Sequence, residues 1–207
     1  MHQAKLVWVT PNAEELIARL ARVSNPKNEN NPEYVKLLSY LIKHKHWSPF
    51  EMASMCLEIT TTRAIAPQIL RHRSFSFQEF SQRYAEAIDA DVPQLRRQDK
   101  KNRQNSIDDL PFELKIEFQD KINNLFDESF DLYQDMLAHG VAKECARSVL
   151  PLSTETRLYM SGTIRSWLHY IDLRGDDSTQ LEHRTIARSA GRVLADKLPN
   201  VARAMWD

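Results

Sequence analysis

The chain has 207 residues, and its 28 Lys and Arg balance its 28 Asp and Glu, leaving no formal net charge. That balance argues against a wholesale nucleic-acid or membrane-surface binder, so any anion site must be local. At this length a domain buries roughly 70% of its unfolded surface and needs no disulfides to hold a core.

The apolar part of Met1 to Val9 is too short for a signal peptide, and no run approaches a membrane span, so a cytoplasmic protein is expected. Leu6 to Val9 reads as a strand ended by Thr10-Pro11-Asn12. Ala13 to Val23 places Leu16, Ile17, Leu20 and Val23 at helical period. A second helix runs through Tyr34, Leu37, Leu38, Leu41 and Ile42, and Trp47-Ser48-Pro49-Phe50 reads as a turn. Met52 to Thr61 is apolar or β-branched, as in a buried strand. Pro67 suits the first turn of a helix through Ile69 and Leu70. Phe75, Phe77 and Phe80 punctuate polar neighbours as in a half-buried strand.

Residues 89–109 are polar and charged and read as an exposed loop or insertion with some disorder. A long amphipathic helix follows, with Leu114, Phe118, Ile122, Leu125, Phe126, Leu132, Tyr133 and Met136 on one broad face and Gly140 at its end. A short helix from Ala142 to Val149 stops at Pro151. Thr156 to Ser161 reads as a strand, Thr163 as an N-cap for a helix through Trp167, Leu168 and Ile171, and Gln180 to Leu198 as a final helix. With no repeat or low-complexity linker, one domain over 1–207 is expected, mixed α and β with helix predominating. Cys56 and Cys145 lack metal-ligand spacing and read as reduced core residues.

The chemistry concentrates in Arg71-His72-Arg73, followed after seven residues by Ser81 and then Arg83. Guanidinium forks grip phosphate or carboxylate oxygens bidentately, and imidazole can donate, accept or stack. Only four glycines occur, with no G-x-G-x-x-G or G-x-x-x-x-G-K-(S/T), so side chains must hold any nucleotide phosphates. Arg147 and Arg174 lie in apolar surroundings, where an arginine is costly unless paired. The plainer reading of Arg174 is a salt bridge with Asp176 or Asp177. His44 and His46 with Glu51 make a poor metal set, because histidines two apart lie on opposite sides of a helix. Ser81 lacks the elbow of a serine nucleophile and reads as a hydrogen-bonding group.

Arg71-His72-Arg73-x7-Ser81 resembles the signature of the flavin-dependent thymidylate synthases (the ThyX family). The surroundings agree: Gln68 three residues upstream, Glu79-x-Ser81-x-Arg83, and His46-x-Ser48-Pro49-Phe50-Glu51 matching H-x-(T/S)-P-F-E. Ala146-Arg147-x-Val149-Leu150-Pro151, Thr156-Arg157, Arg165-Ser166, Leu173-Arg174 and Gln180-x-Glu182 follow in the family's order. The likeness covers about 21–195. It implies a single-domain α+β fold with a central, mostly antiparallel sheet flanked by long helices.

It also implies reductive methylation of dUMP to dTMP. Methylenetetrahydrofolate would be the carbon donor, FAD the hydride carrier and NADPH the reductant, in a homotetramer with shared sites. Gln68, Arg71, Glu79, Ser81, Arg83, Arg147 and Arg174 fall on the family's dUMP-binding positions. Arg174, beside the uracil, is the catalytic one. Ser24, Ser48, Glu51, Arg71, His72, Arg73, Glu79, Thr163, Arg165 and His169 fall on FAD-binding positions. No metal is implied, and no protein nucleophile. Thr163 and His169 stand where asparagines are common, Ser178 replaces a histidine, and Gln82 replaces a glycine that would admit an unusual backbone angle. The alternative from another class is a nucleotide- or nucleic-acid-binding protein. It would use the Arg71–Arg73 cluster and Arg96 to Arg103 on phosphates, with the phenylalanines stacking on bases.

Overall fold

An antiparallel ladder between Ser54–Thr62 and Glu155–Thr163 frames the fold, with Ser54 opposite Thr163 at one end and Thr62 opposite Glu155 at the other. The computed structural model describes residues 1–87 and 89–207. Its strands are β1 (Gln3–Val9), β2 (Ser54–Thr62), β3 (Ser76–Glu79), β4 (Arg97–Gln98), β5 (Ser106–Ile107) and β6 (Glu155–Thr163). Its helices are α1 (Ala13–Ala21), α2 (Val35–Lys43), α3 (Ala66–Ile69), α4 (Phe112–Ala138), α5 (Lys143–Ala146), α6 (Ile164–Gly175), α7 (Leu181–Lys197) and α8 (Pro199–Trp206).

The main sheet has order β1-β2-β6-β3 and is antiparallel throughout, in a single α+β domain. Its residues alternate in the way a one-sided sheet requires. Met55, Leu57, Ile59, Leu158 and Met160 are buried in the core with Trp167, Tyr170, Ile186 and Leu194 from α6 and α7. Glu58, Arg157 and Tyr159 lie on the other face, where the Tyr159 hydroxyl donates to Glu58 Oε2 at 2.9 Å. The indole of buried Trp167 keeps a partner by donating to the Met55 carbonyl at 2.9 Å.

Local chemistry sets the element ends. Thr163 has extended backbone and its hydroxyl accepts from the Ser166 N–H at 3.2 Å, so β6 passes into α6 without a loop. Past α4, Gly140 takes φ 80°, Gly140 N–H donates to Leu137 and Val141 N–H to Met136, a Schellman ending. Lys45 closes α2 in the same way, with φ 56°. No helix among the described residues is long and apolar enough to cross a membrane.

Three expectations need correction. Residues 89–109 are not irregular throughout: β4 and β5 form a hairpin, Arg97 grips Asp109 at 2.5 and 2.9 Å, and Arg96 reaches Glu182 on α7 at 2.7 Å. Arg96 and Arg97 are paired in this way, while Lys100, Lys101 and Arg103 are exposed and meet no carboxylate among the described residues. Cys56 is buried, but Cys145 is exposed, because single-turn α5 turns its neighbour Ala146 inward. The broad apolar face of α4 also divides. Tyr133 is buried in a satellite cluster with Ala87 and Ala146, whereas Phe118, Leu125 and Leu132, seven residues apart, are 45%, 60% and 49% exposed.

Helix α8 was not visible in the pattern, since Leu198-Pro199 reads as a stop. Proline is equally suited to the first helical position, and Leu198 before it leaves the helical region (φ −132°, ψ 65°). The buried carboxylate of Glu14 on α1 accepts from the N–H groups of Asn200 and Val201 at 2.7 and 2.9 Å, and from the Asn200 side chain at 2.7 Å. An acid from another helix thereby satisfies orphan donors at the positive end of α8. Glu14→Ala should cost roughly 3 kcal/mol, since hydrogen bonds to a charged group are among the stronger ones. Urea unfolding measures this, and a loss below about 0.5 kcal/mol would refute the role.

Candidate active site

The segment carrying Arg71, His72 and Arg73 leaves α3 and is pinned by Phe75, which is buried against Trp167 with ring centroids 4.8 Å apart. Gly162 on β6 permits that contact. A Cβ there would lie 2.4 Å from the Phe75 ring, so any side chain would push the basic segment off the sheet. Sequence reading gave Gly162 no role.

Behind Arg71 and Arg73, His72 turns inward. Its Nε2 accepts from Arg174 Nε at 3.0 Å, which places the imidazole proton on Nδ1. The pairing of Arg174 with Asp176 or Asp177 is therefore overturned. Asp176 accepts from Ser178, and Asp177 meets Arg184 and Arg188. Edge-on to His72, at 4.9 Å, lies the buried ring of Tyr170, whose hydroxyl is 3.1 Å from Nε2 of fully buried His183. Burial first, then the Arg174 charge, lowers both His72 and His183 to about 4. Burial raises the Tyr170 hydroxyl. At neutral pH the group behind Arg174 is thus uncharged.

A second group lies at the α6 end of the ladder. Glu51, in the turn Ser48–Glu51, pairs with Arg165 on α6. Both line a cleft of about 530 Å³ with Trp47, Ser74 and His169. Thr163 reaches this group only as the cap of α6, and Ser48 begins the turn, exposed. Ser24 lies exposed beyond α1, and no hydrogen bond joins it to the rest among the described residues.

The third group gathers where β3 ends. Glu79 Oε1 accepts from Arg63 at 2.8 Å and from the Thr156 hydroxyl at 2.9 Å. Ser81 Oγ accepts from the Arg83 N–H at 3.4 Å and, among the described residues, has no adjacent base. Arg83 meets Glu144 on α5 at 3.1 Å, three residues before exposed Arg147. Gln82 does not take a positive φ; its side chain is buried, and among the described residues its Nε2 has no partner. Gln68 on α3 donates to Gln180 at 2.7 Å.

The nucleic-acid alternative loses its platform here. Phe75 is buried, Phe77 and Phe80 are half-buried, and Arg96 and Arg97 are committed to Glu182 and Asp109. Arg71, Arg73, Arg147 and Arg174, by contrast, have no carboxylate partner among the described residues. Guanidinium forks left without a carboxylate suit phosphate oxygens, and the cleft walled by Trp47, His169 and Leu168 offers a flavin ring surface to lie against.

Forks from separate elements, with a neutral imidazole behind one of them, are the kind of donor set that phosphorylated ligands require. Residues 5–200 match the Thy1 family, thymidylate synthase complementing protein. The flavin-dependent thymidylate synthase of a Synechocystis strain is 56% identical over 192 residues, covering 93% of this chain and 89% of that protein. A protein of Paramecium bursaria Chlorella virus 1, named a probable flavin-dependent thymidylate synthase, is 51% identical over 98% of both chains. Among solved structures, the UMP/dUMP methylase PolB of Streptomyces cacaoi, crystallised with 5-Br dUMP, superposes with a TM-score of 0.85. It is 27% identical, and the match covers 97% of this chain and 93% of that one. The chain belongs to the flavin-dependent thymidylate synthase family.

The two lowered histidines give a sign to the pH dependence. The unfolded chain protonates them near 6.5, the folded chain only near 4, so stability falls as pH drops across that window and levels off below it. His183→Phe should remove about one proton from the uptake on unfolding. The slope of unfolding free energy against pH measures it, and an unchanged slope would contradict a neutral His183.

Proposed function

We propose that the protein carries out the reductive methylation of dUMP to dTMP. Methylenetetrahydrofolate gives the carbon, FAD carries the hydride, and NADPH reduces the flavin. Membership of the family makes the protein an enzyme, a flavin-dependent thymidylate synthase and thus a methyltransferase. The observation that carries the reading is the free guanidinium fork of Arg174, held from behind by neutral His72 within the Arg71-His72-Arg73 segment.

In this reading Gln68, Arg71, Glu79, Ser81, Arg83 and Arg147 hold dUMP, with arginines neutralising the phosphate and Ser81 hydrogen-bonding it. Arg174 lies beside the uracil, where a fixed cation favours ionisation at N3 and activates C5. Ser24, Ser48, Glu51, Arg71, His72, Arg73, Glu79, Thr163, Arg165 and His169 hold the flavin, which when bound supplies the hydride. We place the reaction in the cytoplasm, where its phosphorylated substrates are at hand.

The direct test is anaerobic formation of dTMP from dUMP, methylenetetrahydrofolate and NADPH by the yellow, flavin-loaded protein. Arg174→Ala should lose methylation by about a hundredfold or more while keeping its flavin absorbance. Wild-type turnover in that variant sinks the role given to Arg174.

The homotetramer rests on α4. Phe118, Leu125 and Leu132 repeat every seven residues on its exposed face, next to the half-buried Leu114 and Ile122. An apolar stripe of this period is what one helix presents to another. Leu125→Asp should split the assembly into smaller species with unchanged helix content. Light scattering on a sizing column reads the mass, and an intact tetramer would rule out this seam.

A further inference from the structure

We propose that Arg63 is a positioning residue for the nucleotide site, a clamp that sets the carboxylate of Glu79 and the chain that follows it. The proposal rests on the reading that Glu79 and Ser81 contact dUMP. Arg63 is the first residue beyond β2, and its own N–H is tied to the Thr154 carbonyl at 2.9 Å. Its side chain is about three-quarters buried, as is that of Glu79.

One face of its guanidinium makes two bonds to consecutive residues. Nη1 donates to Glu79 Oε1 at 2.8 Å, and Nη2 donates to the Phe80 carbonyl at 2.6 Å. Thr156 adds a second hydrogen bond to the same Oε1, at 2.9 Å. Among the described residues Glu79 Oε2 receives none, so one carboxylate oxygen is fixed and the other is offered outward.

The location explains why a clamp is needed. The register of β3 against β6 ends at Glu79, after which the Phe80 N–H bonds the Arg157 carbonyl at 2.8 Å, and the next described backbone bond to β6 comes at Asp89, whose carbonyl accepts from the Glu155 N–H at 3.0 Å. The following turn is closed by the N–H groups of Tyr84 and Ala85 on the Ser81 carbonyl, each at 3.1 Å. Arg63 therefore anchors the point from which Ser81 and Arg83 project. A planar fork holds its two donors on separate nitrogens in a fixed geometry, so it sets the carboxylate and the next carbonyl relative to each other; an ammonium donates from a single, rotatable point. Among the described residues Arg63 Nε is buried without a partner, so the fork is held by its two outer nitrogens.

The test is a double-mutant cycle on flavin-loaded protein, reading the dUMP dissociation constant by calorimetry. Arg63→Gln and Glu79→Gln should each weaken dUMP by about tenfold, and together by clearly less than the product of the two losses. Arg63→Lys, which keeps the charge and protects folding, should fall between wild type and Arg63→Gln. Losses that multiply in full would show that Arg63 acts elsewhere and overturn the clamp. Wild-type affinity in both Arg63 variants beside a weakened Glu79→Gln overturns the clamp alone. Wild-type affinity in Glu79→Gln removes Glu79 from the nucleotide site, and the clamp falls with that reading.

Discussion

The pairing of β2 with β6 is the constraint on which the rest of the molecule depends. Nine consecutive antiparallel partners fix two ends roughly 27 Å apart. At one end Ser54 opposite Thr163 delivers the Glu51 turn and the start of α6, and with them the Glu51–Arg165 pair. At the other, Thr62 opposite Glu155 delivers Arg63 and Thr156 to Glu79. Strand β3 adds to the free edge of β6 and carries the basic segment along the same frame. The residues assigned to ligands therefore lie in separate groups along one sheet. The two ends answer to different ligands in the proposed reading, the Glu51 end to the flavin and the Glu79 end to the nucleotide.

Electrostatics divides the arginines into two sets. Arg63 meets Glu79, Arg96 meets Glu182, Arg97 meets Asp109, and Arg184 and Arg188 meet Asp177, while Arg83 and Arg165, though assigned to ligands, also meet carboxylates, Glu144 and Glu51. Arg71, Arg73, Arg147 and Arg174 do not. Freedom from a partner is not enough by itself, since Arg103 and Arg192 also meet no carboxylate among the described residues. What distinguishes the first four is their placement on the motif positions, near the basic segment or the β3 end. In a chain without net charge, each free cation at the site is balanced elsewhere by an acid. The site can thus be strongly positive while the surface as a whole is not.

Much of this was legible in the sequence where the cause is local. A run of apolar and β-branched residues located β2, period-3.6 patterns located α1, α2 and α6, and Thr163 announced the start of α6 because capping involves only the next three residues. The half-buried alternation of Phe75, Phe77 and Phe80 pointed to β3 for the same reason. The misses share a different cause. The anchor of α8 lies 186 residues away, at Glu14; the partner of Arg174 lies 102 residues away, at His72; and Arg96 meets Glu182 across 86 residues. Local pattern carries no signal for such contacts. Proline at 199 was ambiguous between stop and start, and only the waiting Glu14 carboxylate resolves it. Gly162 was likewise silent, because its need for no side chain comes from a ring 87 residues earlier in the chain.

The arrangement behind Arg174 shows how packing and chemistry are joined. A charged imidazole at His72 would lose its acceptor nitrogen and repel the guanidinium it now holds. Burial against Tyr170 keeps it neutral, and Tyr170 is in turn fixed by His183, Trp167 and Phe75. Phe75 can occupy its place only because residue 162 is glycine. The aromatic core is thus the reason that a cation at the end of α6 stays oriented, and among the described residues it is free at its outer nitrogens. That is the condition a fixed cation must meet to stabilise negative charge developing on a pyrimidine, since a donor that must first break another bond repays part of what it gives.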